Sequence, residues 1–274
     1  MTDADVPQAA MISAEVFEID IVTPAARRYW EERLRHSLLT DPQGSLVTES
    51  GGVVTGAAQA VIRDRLWILS LLTVSPSAGR GGEGRALVDA ALEYDRDADT
   101  AMIIASNDPR ATRLYGTSGF RLEPTFKATG TVDPALIPSL HPGIVEVSPS
   151  ELETLSPISR AVRGATHTRD LGLARSRGAS VFALEDRGFV VTMPGRGVWL
   201  LAARDEPAAT DLLWYALDRL SGEPRIVIDF VSGAQQWALQ VFLAARLSFH
   251  SYGAICTRGD IGPLRPYIPS PSFA

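Results

Sequence analysis

The chain has 274 residues, of which 45% are hydrophobic and 21% charged, and its formal net charge is −6. That balance belongs to a globular protein with room for about two domains, and it excludes a disordered chain or a basic nucleic-acid binder. A single cysteine excludes an intrachain disulfide and suits a reducing cytoplasm; no apolar run approaches the ~20 residues of a membrane span, and no secretory leader or metal site is expected, the four histidines lacking ligand spacing.

In chain order, Asp5-Val6-Pro7 opens a first helix that runs to residue 17, with proline at a tolerated first-turn position. Thr23-Pro24 caps a second helix over 25–37. Strands are predicted over 45–49, 51–61 and 66–74, then a helix over 84–94, a strand over 101–105, a helix over 108–117 and a strand over 120–129. Pro124 makes that last strand an edge strand or a bulged one, because it cannot donate to a ladder.

Between strand 66–74 and helix 84–94 lies Ser75-Pro76-Ser77-Ala78-Gly79-Arg80-Gly81-Gly82-Glu83-Gly84-Arg85. A glycine loop at a helix N-terminus lets backbone N–H groups converge on a phosphate. It is no Walker loop, since Gly-Lys-Ser/Thr is absent. Gly79, Gly81 and Gly84 spell a dinucleotide pattern, but four residues separate the strand from Gly79 where that fingerprint needs a tight turn. A structural glycine turn is the bland alternative. Farther on, Ser106-Asn107-Asp108-Pro109 caps a short helix that carries Ala111, Leu114 and Tyr115 and closes at Gly119-Phe120.

These two segments together resemble the GNAT superfamily of N-acetyltransferases. That family carries Val-x-Pro-x-x-[Gln/Arg]-x-x-Gly-x-[Gly/Ala] on a strand–loop–helix, matched by Val74, Pro76, Gly82 and Gly84. It then carries Asn-x-x-Ala-x-x-Leu-Tyr-x-x-x-Gly-Phe, matched by Asn107, Ala111, Leu114, Tyr115, Gly119 and Phe120, with one extra residue after Asn107. The usual Gln/Arg position is Gly79, and Arg80 follows one residue late.

The resemblance implies acetyl-CoA as acyl donor. Leu72, Thr73 and Val74 lie on the strand whose backbone would pair with the pantetheine arm, and an N–H there would polarise the thioester carbonyl. Backbone N–H groups from Arg80 through Gly81, Gly82, Glu83 and Gly84 to Arg85, in the loop that Gly79 opens, would hold the pyrophosphate. Asn107 matches a position that contacts the arm, or serves as a helix cap only. Tyr115 matches the tyrosine that protonates the leaving thiolate. The general base is not legible. Strand 66–74 has no carboxylate; Glu18 and Asp20 fall where the family lines its acceptor pocket; and the apolar, proline-stiffened end of the chain is a further candidate through its terminal carboxylate.

Residues 131–143 read as a proline-stiffened linker, and 144–274 repeat the order of elements of 1–130. Arg204-Asp205-Glu206-Pro207 replaces the glycine loop there. Its carboxylates would repel a pyrophosphate and its proline lacks a donor. The expectation is an α/β (α+β) protein of two GNAT-like domains, each a mixed, mostly antiparallel twisted sheet flanked by helices: a catalytic domain over 1–130 and a degenerate one over 144–274. The implied activity is transfer of acetyl to the primary amine of a small molecule. A peptide or protein acetyltransferase and a non-catalytic acyl-CoA sensor are the alternatives. Neither nucleic acid nor membrane is expected as partner, and the apolar second half is compatible with a homo-oligomer.

Overall fold

In the computed structural model, which describes residues 1–78, 81–94, 98–193 and 195–274, the first unit (Met1–Asp99) is a three-stranded antiparallel meander with three helices. Its elements are α1 (Val6–Val16), α2 (Pro24–Thr40), β1 (Ser45–Ser50), β2 (Val53–Arg63), β3 (Leu66–Val74) and α3 (Glu83–Leu92). The α2 cap is the expected one: Thr23 accepts a hydrogen bond from Ala26 N, and Pro24 occupies the first turn. α1 and α2 close a core of Val6, Ala9, Ala10, Trp30, Leu34, Ala57 and Leu71.

The second unit (Thr100–Ala274) is one larger sheet. It contains β4 (Thr100–Ala105), α4 (Pro109–Thr117), β5 (Arg121–Gly130), β6 (Ile144–Glu146), α5 (Ser156–Arg163), α6 (Thr168–Ser176), β7 (Ser180–Leu184), β8 (Gly188–Met193), β9 (Gly197–Ala203), α7 (Glu206–Arg219), β10 (Ile226–Ser232), α8 (Gln236–Ala244), β11 (Ser248–Arg258) and β12 (Tyr267–Ile268). The strand order is β4-β11-β5-β10-β9-β8-β7-β6, with β12 added on β9. All these pairs are antiparallel except β9–β10. The mixed, mostly antiparallel sheet with flanking helices is the expected fold class.

The two halves of the sequence are interleaved in this sheet. β11, from the second half, lies between β4 and β5 of the first; β5 in turn lies between β11 and β10. The compact units divide at 99/100, and β5 is bound on both edges by second-half strands. For the same reason β5 is no edge strand. Pro124 is tolerated because the β5–β11 register breaks beside it, between Ser251 and Ala254.

Gly253 makes that break. Its φ is +67°, and a Cβ there would lie 2.2 Å from the Ala105 carbonyl oxygen and 2.8 Å from the Phe230 ring. Gly253→Ala should therefore lose roughly 3 kcal/mol of stability, from left-handed strain plus overpacking. Urea unfolding checks this, and a loss below about 1 kcal/mol would show that β11 can shift to make room. Among the described residues, no helix is long and apolar enough to cross a membrane.

Candidate active site

β3 is a continuous apolar run, and alternation alone would place Trp67 and Leu71 on one face. They serve different helices. Leu71 joins the α1–α2 core, whereas the Trp67 indole donates to Ala91 O of α3 at 3.0 Å. The cause is a bulge. β2 pairs Ala60 with Leu69 and Gln59 with Leu71, so Ser70 is the extra residue. Its carbonyl leaves the ladder in a buried position, and Arg33 of α2 donates to it and, at 3.2 Å, to the Ser70 hydroxyl. Arg33 is itself 3% exposed and lies over the Trp30 ring.

The bulge also fixes which backbone groups of β3 face outward. Ser75 N donates to Thr55 O at 2.7 Å, and the pairs Thr73–Ala57 and Leu71–Gln59 share that register. In an antiparallel ladder the hydrogen-bonded pairs alternate. The N–H and C=O groups of Thr73 and Leu71 thus point to β2, and those of Leu72 and Val74 point to the opposite edge.

After β3 the chain makes a 3-10 turn over Pro76–Ala78. Gly79 and Arg80 lie outside the described residues. Gly82 is the left-handed N-cap of α3 (φ +81°), without a side-chain cap. The first helical bond runs from Ala86 N to Gly82 O, so the N–H groups of Glu83 and Gly84 precede the ladder at a helix end that favours an anion. The Glu83 carboxylate would oppose that anion, but it accepts hydrogen bonds from the Thr48 and Thr55 hydroxyls at 2.9 and 2.8 Å. Arg85 is half exposed and sits 3.9 Å from Asp89.

In the second unit, Asp108 caps α4 through Arg110 N, while Asn107 does something else. Its Oδ1 accepts the Gly253 N–H at 2.5 Å, tying the start of α4 to the β11 bulge. Tyr115 is 5% exposed, and among the described residues its hydroxyl has no hydrogen-bond partner. Burial, reinforced by nearby Cys256 and Asp108, holds its phenol well above the ordinary 10.0. Cys256 is remote from both motifs in the sequence, yet β11 sets it opposite Ile103 and Leu122 and close to Tyr115. Burial pushes its thiol from 9.0 up to about 12, the behaviour of an inert core thiol.

The loop joining α1 to α2 borders a pocket of about 410 Å³, lined by Met11 and Ile19 and by Glu15, Glu18, Asp20 and Arg27. The three carboxylates are exposed at its rim. Ala274 O is bound by Arg163 and His167 of the second half. Among the described residues no group of three or more His, Cys, Asp or Glu is placed to hold a metal ion. Sequence reasoning missed Arg33, the Ser70 bulge and the role of Gly253, none of which belongs to either motif.

Residues 6–132 match the family model of the acetyltransferase (GNAT) domain. No curated protein matches the sequence. Among solved structures, a Pyrococcus horikoshii protein of proposed acetyltransferase activity superposes with a TM-score of 0.80 at 19% identity, covering 100% of this chain and 94% of its own. A GCN5-related N-acetyltransferase from Kribbella flavida gives 0.61 at 17% identity, over 94% of this chain and 69% of that one. A tandem GNAT protein from the clavulanic acid biosynthesis pathway gives 0.55 at 17% identity, over 93% and 95%. The chain carries a GNAT acetyltransferase domain over residues 6–132, within a fold that it shares with tandem GNAT proteins.

Proposed function

We propose that this chain is an acetyl-CoA-dependent N-acetyltransferase that acetylates the primary amine of a small molecule by direct attack. The observation that carries the reading is the start of α3: the N–H groups of Glu83 and Gly84 precede the helical ladder in a glycine turn, with the Glu83 carboxylate drawn off by Thr48 and Thr55. That end suits a pyrophosphate. The outward N–H and C=O groups of Leu72 and Val74 suit an extended amide-bearing arm. Acetyl-CoA supplies the acyl group and a thiol leaving group; Tyr115 holds the proton that the sulfur takes up, because its raised pKa keeps the phenol protonated at neutral pH. The pocket beside Glu15, Glu18 and Asp20 suits a cationic amine with an apolar portion, and Glu18 or Asp20 would take the proton that the ammonium must lose.

Gly81 tests the reading, because it is exposed, has open space around it and needs no left-handed φ. Gly81→Asp should weaken acetyl-CoA binding by roughly tenfold or more through charge repulsion, while Gly81→Ala stays within about threefold. Calorimetry on the two variants and the wild type reads this directly. Equal affinities for all three would remove the pyrophosphate from this loop, and no binding by the wild type would remove the acetyl-CoA reading.

A further inference from the structure

From α5 to β11 the second half repeats the order of elements of the first, with β6 and β12 added, yet its own groove is not open. β9 and β10 pair in parallel over only two positions, Gly197–Val227 and Val198–Ile228, and then separate. The groups that β9 bares beyond that point are met by the chain itself. β12 pairs Tyr267 with Ala202 and Ile268 with Leu201, and Ala203 N donates to Pro266 O at 3.2 Å.

A side chain at the start of α8 completes the grip. Gln235, at the N-cap and 2% exposed, donates from Nε2 to Leu264 O at 2.7 Å and accepts Tyr267 N on Oε1 at 3.2 Å. One amide side chain thus reads both a carbonyl and an N–H of an extended segment.

The segment then turns into the α5–α6 connection, the counterpart of the α1–α2 loop that borders the first-half pocket. Arg163, at the end of α5, donates to the carbonyl oxygens of Phe273 and Ala274. His167, at the N-cap of α6, meets the Tyr267 hydroxyl and Ala274 O at 3.0 Å each and the Ser159 hydroxyl at 2.9 Å. The Phe273 ring packs edge-on to Trp199 of β9 at 6.2 Å. Phe273 and Ala274 are each 1% exposed.

We infer that residues 264–274 are an intrachain peptide ligand of the second half. Residues 264–268 fill the gap where a tandem GNAT half would take the acyl-donor arm, and residues 270–274 fill the acceptor side. The second half is a peptide-binding module committed to its own chain, and the protein carries one acyl-CoA site, which rests on the reading proposed above for the first half. The start of α7 is also filled: Asp205, paired with Arg187, accepts the Ala208 N–H, so a carboxylate occupies the helix end where the first half has its glycine turn.

Amide hydrogen exchange on the full chain tests the occupant without any ligand. Amides of 201–203 and 264–274 should exchange at least a hundredfold more slowly than an unfolded peptide. Gln235→Ala should speed exchange at 264–268 by roughly tenfold without changing residues 1–99. Unprotected amides, or no response to Gln235→Ala, would overturn the inference. Calorimetry should give one acetyl-CoA per chain, with the protection at 264–274 unchanged at saturation. Two molecules per chain, or protection lost on adding acetyl-CoA, would also overturn it. No binding at all would instead count against the first-half reading, while the exchange data still decide the occupant.

Discussion

Tyr115→Phe should lower kcat by roughly 10²- to 10⁴-fold, the usual contribution of a positioned acid, and leave the dissociation constant of acetyl-CoA within about threefold. The substitution removes one oxygen from a buried ring that has no intrachain hydrogen-bond partner among the described residues, so the fold loses little. Under the proposed mechanism, what it removes is the proton for the departing sulfur. The pH profile carries the same signature. Burial raises the phenol above its ordinary 10.0, so it remains an acid throughout the neutral range, and kcat should show no alkaline fall from this group up to about pH 10. Stability behaves differently: the unfolded chain ionises Tyr115 and Tyr267 near pH 10, whereas the folded chain keeps both protonated to higher pH. The contribution of these phenols is whole below pH 10 and is lost as the pH rises beyond it. A Tyr115→Phe protein with unchanged kcat would leave the chain an acyl-CoA binder with its acid elsewhere.

Much of the fold is legible because local signals agree with it. Thr23-Pro24 and Asp108-Pro109 start helices where they should, and the apolar run 66–74 is β3 to the residue. The bulge at Ser70 is hidden for a physical reason. A strand apolar on both faces has no alternation to break, so a one-residue slip leaves no trace in its sequence. The pairing of β11 is hidden for the opposite reason. Ser248-Phe249-His250-Ser251-Tyr252-Gly253 is polar, interrupted by glycine and without a clear face, and it is a strand because β4 and β5 pair with it from far away in the chain. That pairing also brings Cys256 to Tyr115 and gives Asn107 the Gly253 amide in place of a simple capping role. Contacts of this kind are set by topology, which motifs report only indirectly.

Arg33→Met should cost roughly 2 kcal/mol of stability, because it leaves the buried Ser70 carbonyl without its guanidinium donor. The larger effect falls on turnover. Ser70 is the extra residue that turns the Leu72 and Val74 groups to the outer edge of β3. If the bulge slips by one residue, Leu71 and Thr73 take their place and the edge presents the wrong N–H groups. Even a displacement of about 1 Å at an oxyanion donor is worth up to roughly 10²-fold in rate. The expected result is therefore a kcat lowered by 10- to 100-fold, with acetyl-CoA affinity changed less than threefold because the proposed pyrophosphate site lies at α3 and not at the bulge. Arg33→Lys keeps a donor within reach of the Ser70 carbonyl and should recover part of kcat, whereas it lacks the planar guanidinium that lies over the Trp30 ring. Steady-state kinetics and urea unfolding on the two variants separate the cases. Stability lost with kcat intact would make Arg33 a core residue and nothing more; kcat lost in Arg33→Met and partly restored in Arg33→Lys would make it the residue that sets the register of the acyl-binding strand.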